Sequence, residues 1–467
     1  MIDLTLGDIA TIVGGALVSP ADRATIVGGS VQTDSRLAEA GSIFFALPGE
    51  DTDGHLFAAA AVSQGAALVI AERPVSVDAP VILVADGVAA LADLAREVVA
   101  RVRRSGNLTV TAVTGSNGKT TTKNLLRAIL GAEAPTVAPN GSFNNHVGAP
   151  ISMLRIDYDT RYLVVEMGAS HAGEIAHLVS IARPDIGVVL KVGLAHVGEF
   201  GGVDAIQHAK AEMVVDLPST ATAILNADDP RVAQMAGMTA AEVRWFGRSE
   251  PAGVRAEDVQ SDASGTRFTL VVGARRLPVH LQIIGEHHVM NALAALAVAR
   301  ELGLDLARAI AAIEAMPRAE RWRMEVLAAP SGALIINDAY NASPDSTRAA
   351  LTTLAHLGNS DARSIAVLGE MTELGESADD EHTAIGRFVA ALGVEELIVV
   401  GAGARHIHTA ASLARDWRGQ SFFVDTAELA HELLRDELRP GDLVLVKSSK
   451  SAGLRFLGDR LAGIEQA

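Results

Sequence analysis

A run of apolar and β-branched residues, Leu108–Val113, leads directly into Thr114-Gly115-Ser116-Asn117-Gly118-Lys119-Thr120-Thr121, and a helical pattern opens at Lys119. No other stretch constrains the chain as tightly. A buried strand that feeds a Gly-rich turn and then a helix dictates a parallel α/β unit. It also points backbone N–H groups and the positive end of a helix at one place outside the sheet. The glycines let the turn aim its N–H groups inward, Lys119 adds a point charge, and the Thr120 hydroxyl suits Mg²⁺. This is a phosphate cradle. The common form of such a loop has Gly six residues before the Lys; here that position is Val113, so the loop is the variant T-G-x-N-G-K-T.

The rest of the chain extends the same architecture. At ~100–200 residues per domain, 467 residues allow two to four domains, with three the central value. With 49% hydrophobic and 20% charged residues, each can bury a sizeable core. Strand-like runs at 42–47, 67–71 and 81–84 fall in a first block, residues 1–85. Leu91, Leu94, Ala95, Val98 and Val102 then recur at helical spacing, up to the basic turn Arg101, Arg103, Arg104. Residues 86–322 form a central ATP-binding domain, with strands at 108–113, 162–165, 186–190 and 222–225. Within it, residues 242–284 read as antiparallel strands and Val289–Leu302 as an Ala-rich helix. Residues 323–467 repeat the alternation, with strands at 334–336, 364–368, 397–400, 421–424 and 443–446. The expected fold class is therefore α/β: a small N-terminal α/β domain, a central P-loop-type, mostly parallel sheet domain, and a C-terminal Rossmann-like domain.

Composition removes several function classes. The formal net charge of −17 argues against general nucleic-acid binding. The absence of cysteine excludes disulfides, thiolate nucleophiles and Cys-ligated metal. No signal peptide and no membrane span are evident, so a cytoplasmic protein is expected.

Other residues gain meaning from the loop. Glu166 ends the strand at 162–165, where ligands bind in parallel sheets. Alone it would read as a solvated strand end; beside a phosphate loop it reads as a Mg²⁺ ligand. His196 follows the next strand, and alone would be structural. Lys210 reads from its spacing as a solvated helix lysine. Asp345 is expected to cap the helix after Ser343-Pro344. Asp34 and Arg36 are equally well a surface ion pair or part of an anion clamp.

At the phosphate loop the chain resembles the Mur ligase family, which uses ATP to join an amino acid or peptide to a UDP-muramoyl precursor of peptidoglycan. Folylpolyglutamate synthases and cyanophycin synthetases carry similar loops. Further motifs extend the resemblance over about residues 30–455. It implies a nucleotide site made of Thr114, Gly115, Ser116, Asn117, Gly118, Lys119, Thr120 and Thr121. His287 and Asn291 of G-x-H-N-x-x-N would join them, Asn291 touching adenine; His288 replaces the first Asn. Asp338 of Asp338-Ala339-Tyr340-Asn341-Ala342-Ser343-Pro344-Asp345-Ser346 would meet the ribose, and Arg321 would reach the phosphates when the domains close. The resemblance assigns Lys119, Glu166, His196 and Lys210 to catalysis. It gives one Mg²⁺ to Thr120 and Glu166, and a second to His196 and a carbamylated Lys210. Substrate contacts are implied for Asp34, Ser35, Arg36, Asp53, Gly54, His55, Asn144, Asn145, Tyr340 and Asn341.

The string Asn140-Gly141-Ser142-Phe143-Asn144-Asn145 resembles the member that joins D-alanyl-D-alanine to UDP-N-acetylmuramoyl-tripeptide. The T-T-P and Asp-Asn-Pro-Arg strings of the tripeptide-forming member do not occur. The expected partners are those two substrates, with no nucleic acid and no membrane insertion, and the expected state is a monomer. The alternatives are another ligase of the same superfamily, or a P-loop ATPase with no obligatory amine acceptor.

Overall fold

The computed structural model of the protein describes residues 1–49, 52–139, 141–195, 197–318, 320–358 and 362–464. Among the described residues a small antiparallel pair joins Leu4–Thr5 to Ile26–Val27, and three larger sheets lie along the chain. The first has five strands: β1 (Ala16–Leu17), β2 (Val31–Gln32), β3 (Ile43–Ala46), β4 (Leu68–Ala71) and β5 (Val81–Leu83), in the order β1-β5-β4-β3-β2. β1 is antiparallel to its neighbour and the other pairs are parallel.

The second sheet carries the phosphate loop. It has nine strands: β6 (Thr109–Thr114), β7 (Thr136–Val137), β8 (Tyr162–Glu166), β9 (Ile186–Val189), β10 (Thr222–Asn226), β11 (Glu242–Gly247), β12 (Val254–Asp262), β13 (Gly265–Val272) and β14 (Arg275–Leu281). Their order is β14-β13-β12-β11-β10-β9-β6-β8-β7. β6 lies between β8 and β9, and its apolar and β-branched residues are buried from Val110 to Thr114 because both faces are covered. Leu163 and Val165 of β8 face one hydrophobic cluster, and Val164 faces another. Sequence alternation misassigned one strand direction: β11 is parallel to both β10 and β12, and only β12–β14 are antiparallel. A helix at Pro230–Gln234 intervenes between β10 and β11. That crossover returns the chain in the same sense, which alternation cannot report.

The third sheet has six strands, β15 (Glu325–Ala328), β16 (Leu334–Asn337), β17 (Ser364–Leu368), β18 (Glu396–Val400), β19 (Gln420–Val424) and β20 (Leu443–Lys447), in the order β15-β16-β20-β17-β18-β19. β15 is antiparallel and the others are parallel.

The cores show how these units are joined. Helix α1 (Gly87–Ser105), capped by the Asp86 side chain, buries Leu91, Leu94, Ala95, Val98 and Val102. These residues belong to one cluster that contains Phe45 and Ile70 of the first sheet and Leu163 and Val165 of the second. The first two units thus share a core. The third has cores of its own, joined by one buried central residue, Ile284. No described helix is long and apolar enough to cross a membrane.

Two helices set the floor of the loop. α2 (Lys119–Gly131) starts at the loop lysine, and α4 (His287–Glu301) packs on it. α4 buries Ala292, Ala294, Ala295, Ala297 and Ala299. Its alanines let it approach closely enough for Asn291 to reach the loop. Ala295→Leu is expected to lower the unfolding free energy by roughly 1–3 kcal/mol through overpacking, measured by urea denaturation.

Candidate functional site

Parallel pairing builds the site. Glu166 stands opposite Val113 in the β8–β6 register, and Val189 opposite Thr114 on the other side. The last residue of β8 is thereby level with the start of the loop. Gly115 and Gly118 have φ of 151° and 87°, conformations that favour glycine. A Cβ on Gly118 would collide with the Asn291 side chain, so glycine there also admits α4. Lys119 Nζ donates to Gly115 O at 2.7 Å.

Around Glu166 the polar groups converge. Its Oε1 accepts from Asn144 Nδ2 at 2.8 Å and from Thr120 Oγ1 at 3.3 Å. Thr120 Oγ1 also lies 3.1 Å from Ser142 Oγ. Glu166 Oε2 is buried and has no hydrogen-bond partner. A buried carboxylate oxygen without a donor, beside a threonine hydroxyl, fits a hard divalent cation. Among the described residues no group of three or more His, Asp or Glu could hold a metal on its own. A cation here would need hydroxyl, water or ligand oxygens as well.

These groups open into a cavity of about 540 Å³ between the second and third sheets. Of the residues expected at the site, it is lined by Ser116, Asn117, Gly118, Lys119, Thr120, Thr121, Asn144, Asn145, Glu166, His287, Asn291, Asp338, Tyr340 and Asn341. Thr114 and Gly115 lie beneath it, Thr114 Oγ1 donating to Met167 O at 2.8 Å. Asp338 accepts from Lys447 Nζ at 2.6 Å and from Met324 N at 3.0 Å. Burial lowers His287 to about 4, so it is neutral at pH 7.

Several expectations need correction. Arg321 does not reach the cavity: its Nη2 donates to the buried Asp459 carboxylate at 2.9 Å. Arg323, two residues on, lines the cavity instead. Its guanidinium lies 4.3 Å from the Tyr340 ring centroid, and its Nη2 donates to Ser142 Oγ at 3.2 Å. In an R-x-R segment the sequence does not tell which arginine turns inward. The helix α5 (Pro344–Leu357) is capped by Ser343, not Asp345, because a reciprocal bond with Ser346 holds Ser343 outside the helix.

Lys210 is not a solvated helix lysine. It is 2% exposed on helix α3 (Val203–Val215), its Nζ 5.5 Å from the Phe200 ring centroid. Burial, with Lys119 adding repulsion, lowers it to about 7. His196 and Asn140 lie outside the described residues.

The first-domain residues stand apart from the cavity lining. Asp34 and Arg36 pair with each other at 2.6 Å, Arg36 being largely exposed. Asp34 caps the turn Ser35–Leu37 that contains Ser35, and Asp53 caps the turn Gly54–Phe57 that contains Gly54. His55 is buried, its Nδ1 2.6 Å from Asp53 Oδ1, its Nε2 accepting from Glu72 N at 3.0 Å. Arg73 also pairs with Asp53 and holds its carboxyl well below the usual range.

Sequence reasoning missed one buried residue that supports the site and two that line the cavity. Lys123 is fully buried and donates to Pro139 O at 2.8 Å and Gly141 O at 3.0 Å, tying down the segment that carries Ser142 and Asn144. His288 is buried, with Nδ1 3.3 Å from the Asn291 amide and Nε2 lacking a partner. Arg323 Nε is likewise buried and unpartnered. A lysine in a helical repeat carries no signal of burial; the two orphaned donors become visible only with the cavity.

Comparison with known proteins agrees along the chain. The model described as "Mur ligase family, catalytic domain" matches residues 29–107, the Mur ligase middle domain 113–299, and the Mur ligase glutamate ligase domain 322–450. The UDP-N-acetylmuramoyl-tripeptide–D-alanyl-D-alanine ligase of Mycobacterium tuberculosis (strain H37Rv) is 45% identical over 500 residues, covering 99% of this chain and 98% of the relative. The ligase of the same name from Bacillus subtilis is 32% identical, covering 97% of each. Crystal structure I of MurF from Acinetobacter baumannii superposes with a TM-score of 0.87 at 31% identity, covering 99% of both chains. MurF from Thermotoga maritima in complex with ADP gives 0.81 at 28% identity, covering 93% of this chain and 97% of that one.

The site's lysines make a pH prediction. Burial lowers Lys119, Lys123 (to about 8) and Lys210 (to about 7) from 10.5. Between about 7 and 10.5 the unfolded chain holds protons that the native lysines have lost, so these groups make stability rise with pH in that window. An anionic nucleotide favours the protonated amines. ADP binding at pH 8 is expected to take up protons, seen as a dependence of calorimetric binding enthalpy on buffer ionisation enthalpy. Lys123→Met is expected to reduce the uptake.

Proposed function

This chain belongs to the Mur ligase family, and we propose that it is an ATP-dependent, ADP-forming ligase that joins D-alanyl-D-alanine to UDP-N-acetylmuramoyl-tripeptide in peptidoglycan precursor synthesis. The observation that carries the chemistry is the pairing of unsatisfied groups at the phosphate loop. His288 Nε2 and Arg323 Nε are buried without partners, and Glu166 Oε2 is a buried acceptor without a donor. An anion accompanied by a cation satisfies both kinds of group. Residues 1–85 hold the UDP-sugar, 86–322 hold ATP, and 323–467 close with the incoming dipeptide. The reaction belongs to the cytoplasmic stage of wall synthesis, and the working unit is a monomer.

A carboxylate cannot expel oxide, so it must first be activated. The terminal carboxylate of the tripeptide attacks the γ-phosphorus of ATP, ADP leaves, and an acyl phosphate forms. The amine of D-alanyl-D-alanine attacks the acyl carbon, the tetrahedral intermediate expels phosphate, and the ammonium proton is lost to solvent. The chain contributes positioning and charge neutralisation. Lys119 and Arg323 face the phosphates. Asn291 and His287 orient the base, and Asp338, fixed by Lys447, receives the ribose. Tyr340, Asn341, Asn144 and Asn145 border the reacting end.

Thr120 and Glu166 would hold one Mg²⁺, and His196 with carbamylated Lys210 a second. Bound Mg²⁺ supplies Lewis-acid neutralisation of the transferring phosphoryl group. Lys210 suits this role because its amine, near pH 7 in basicity and buried, is available unprotonated to add CO₂. The product is an anion where an ammonium would repel the metal.

Phosphate release with ATP, Mg²⁺ and UDP-muramoyl-tripeptide is expected to require D-alanyl-D-alanine; release indifferent to the dipeptide would overturn the assignment. Lys119→Ala is expected to reduce turnover by about 10²–10³. Lys210→Arg places a fixed positive charge there and cannot form the carbamate, so turnover is expected to fall by about 10² or more. Peptide mass analysis at neutral pH in bicarbonate should show CO₂ on Lys210 of the wild type. Full activity in Lys210→Arg would exclude the carbamate.

A further inference from the structure

The chain leaving β9 runs beneath the phosphate loop, and most of its N–H groups find partners there. Leu190 N donates to Thr114 O at 3.0 Å. Val192 N donates to the Asp229 carboxylate at 2.9 Å, and Gly193 N to Ser116 Oγ at 2.8 Å. Ser116 closes the link, its own N–H donating to Lys191 O at 2.8 Å. All of these partners belong to the second domain. The next donor departs from the pattern: Leu194 N donates to Asp345 Oδ2 at 3.0 Å. Asp345 sits in the first turn of α5, in the third domain, 151 residues away along the chain.

This contact needs a glycine. A Cβ on Gly193 would collide with Asp345 Oδ2 and would lie 3.6 Å from Ser116 Cβ. Gly193 is therefore sandwiched between the phosphate loop and the third domain. Nearby, the Ser343 hydroxyl at the start of α5 lies 3.3 Å from Asn117 Oδ1 of the loop. A few residues further on, Gly198 N donates to Glu373 O at 3.2 Å, and a Cβ on Gly198 would strike Gly375. Both ends of this segment touch the third domain, and at each end a glycine makes room.

We propose that Asp345 is a positioning residue that registers the third domain on the phosphate loop. Its carboxylate holds Leu194 N, and Gly193 and Ser116 pass that constraint to the loop. The loop keeps its anion-binding shape when the third domain is docked and loosens when it is not. Nucleotide binding and docking then favour one another reciprocally. The carboxylate lies in the first turn of its own helix, where the dipole favours a negative charge, so the latch costs α5 nothing.

The test uses the full chain and its Asp345→Ala and Asp345→Asn variants with the ATP analogue AMP-PNP and Mg²⁺. Asn keeps an oxygen that can accept from Leu194 N. Amide hydrogen exchange over 190–195 is expected to quicken about tenfold or more in Asp345→Ala and to return towards wild type in Asp345→Asn. Turnover should fall at least about tenfold in the Ala variant and recover in the Asn variant. A folded Asp345→Ala with wild-type exchange and turnover overturns the proposal. So does a raised KM for ATP with exchange unchanged, which would make Asp345 a direct ligand contact. Should Asp345→Ala lose its fold, Gly193→Ala reads the same contact from the other side, because its methyl displaces the carboxylate. The turnover arm rests on the ligase reading. If the wild type releases no phosphate with the muramoyl substrate and dipeptide, that reading fails, while the exchange comparison still decides Asp345.

Discussion

The parallel pairing of β6 with β8 is the constraint on which the site depends. In this register Glu166 stands opposite Val113, one residue before the loop begins. A slip of one residue would turn the Glu166 side chain to the other face of the sheet. It would also carry Leu163, Val164 and Val165 from one core to the other. Because both faces are packed, that slip is opposed by the burial of the whole strand. The position of one carboxylate beside Thr120 is thus enforced by apolar residues that never touch a ligand.

A second constraint is electrostatic. The chain carries a formal net charge of −17, yet its cavity suits anions. The local arrangement resolves this. Lys119, Lys123 and Lys210 are all buried enough to have their pKa lowered, and His287 and His288 are held neutral. Burial opposes the charged form of each of these groups in and around the loop. Such a site avoids the cost of several fully charged cations packed together without a counterion. The surrounding acidity then acts as a general field, screened within about 8–10 Å at physiological salt.

Much of this was legible in the sequence, for reasons that particular residues make plain. The strand–loop–helix at 108–131 is local, and local patterns survive folding. So are Glu166 and Asp338, each at the C-terminal end of a strand. What could not be read depends on contacts far apart in sequence. Arg321 and Arg323 differ only in which one meets Asp459 and which meets Ser142 and Tyr340. The burial of Lys210 comes from tertiary packing around α3, and that of Lys123 from a segment 16–18 residues away. In the first domain, Asp34, Arg36, Asp53 and His55 stand in turns whose hydrogen bonds they satisfy among themselves. Spacing cannot separate such turn chemistry from ligand chemistry.

The division of the cores explains why the third domain is the one suited to act as a moving part. The first two domains share a continuous apolar cluster through α1, so separating them would expose Phe45, Leu94 and Val165 to water. Burial of side chains of this size contributes about 1.5–3 kcal/mol each, which makes that junction rigid. The third domain completes its cores almost entirely from its own residues. Apart from Ile284, it meets the second domain mainly through polar contacts, Asp345 with Leu194, Ser343 with Asn117 and Arg323 with Ser142, and through the glycine pair Gly198 and Gly375. Polar groups at such a seam can exchange their partners for water at small net cost. The seam can therefore open without unfolding either side, and the cavity that needs to admit and release ligands lies along it.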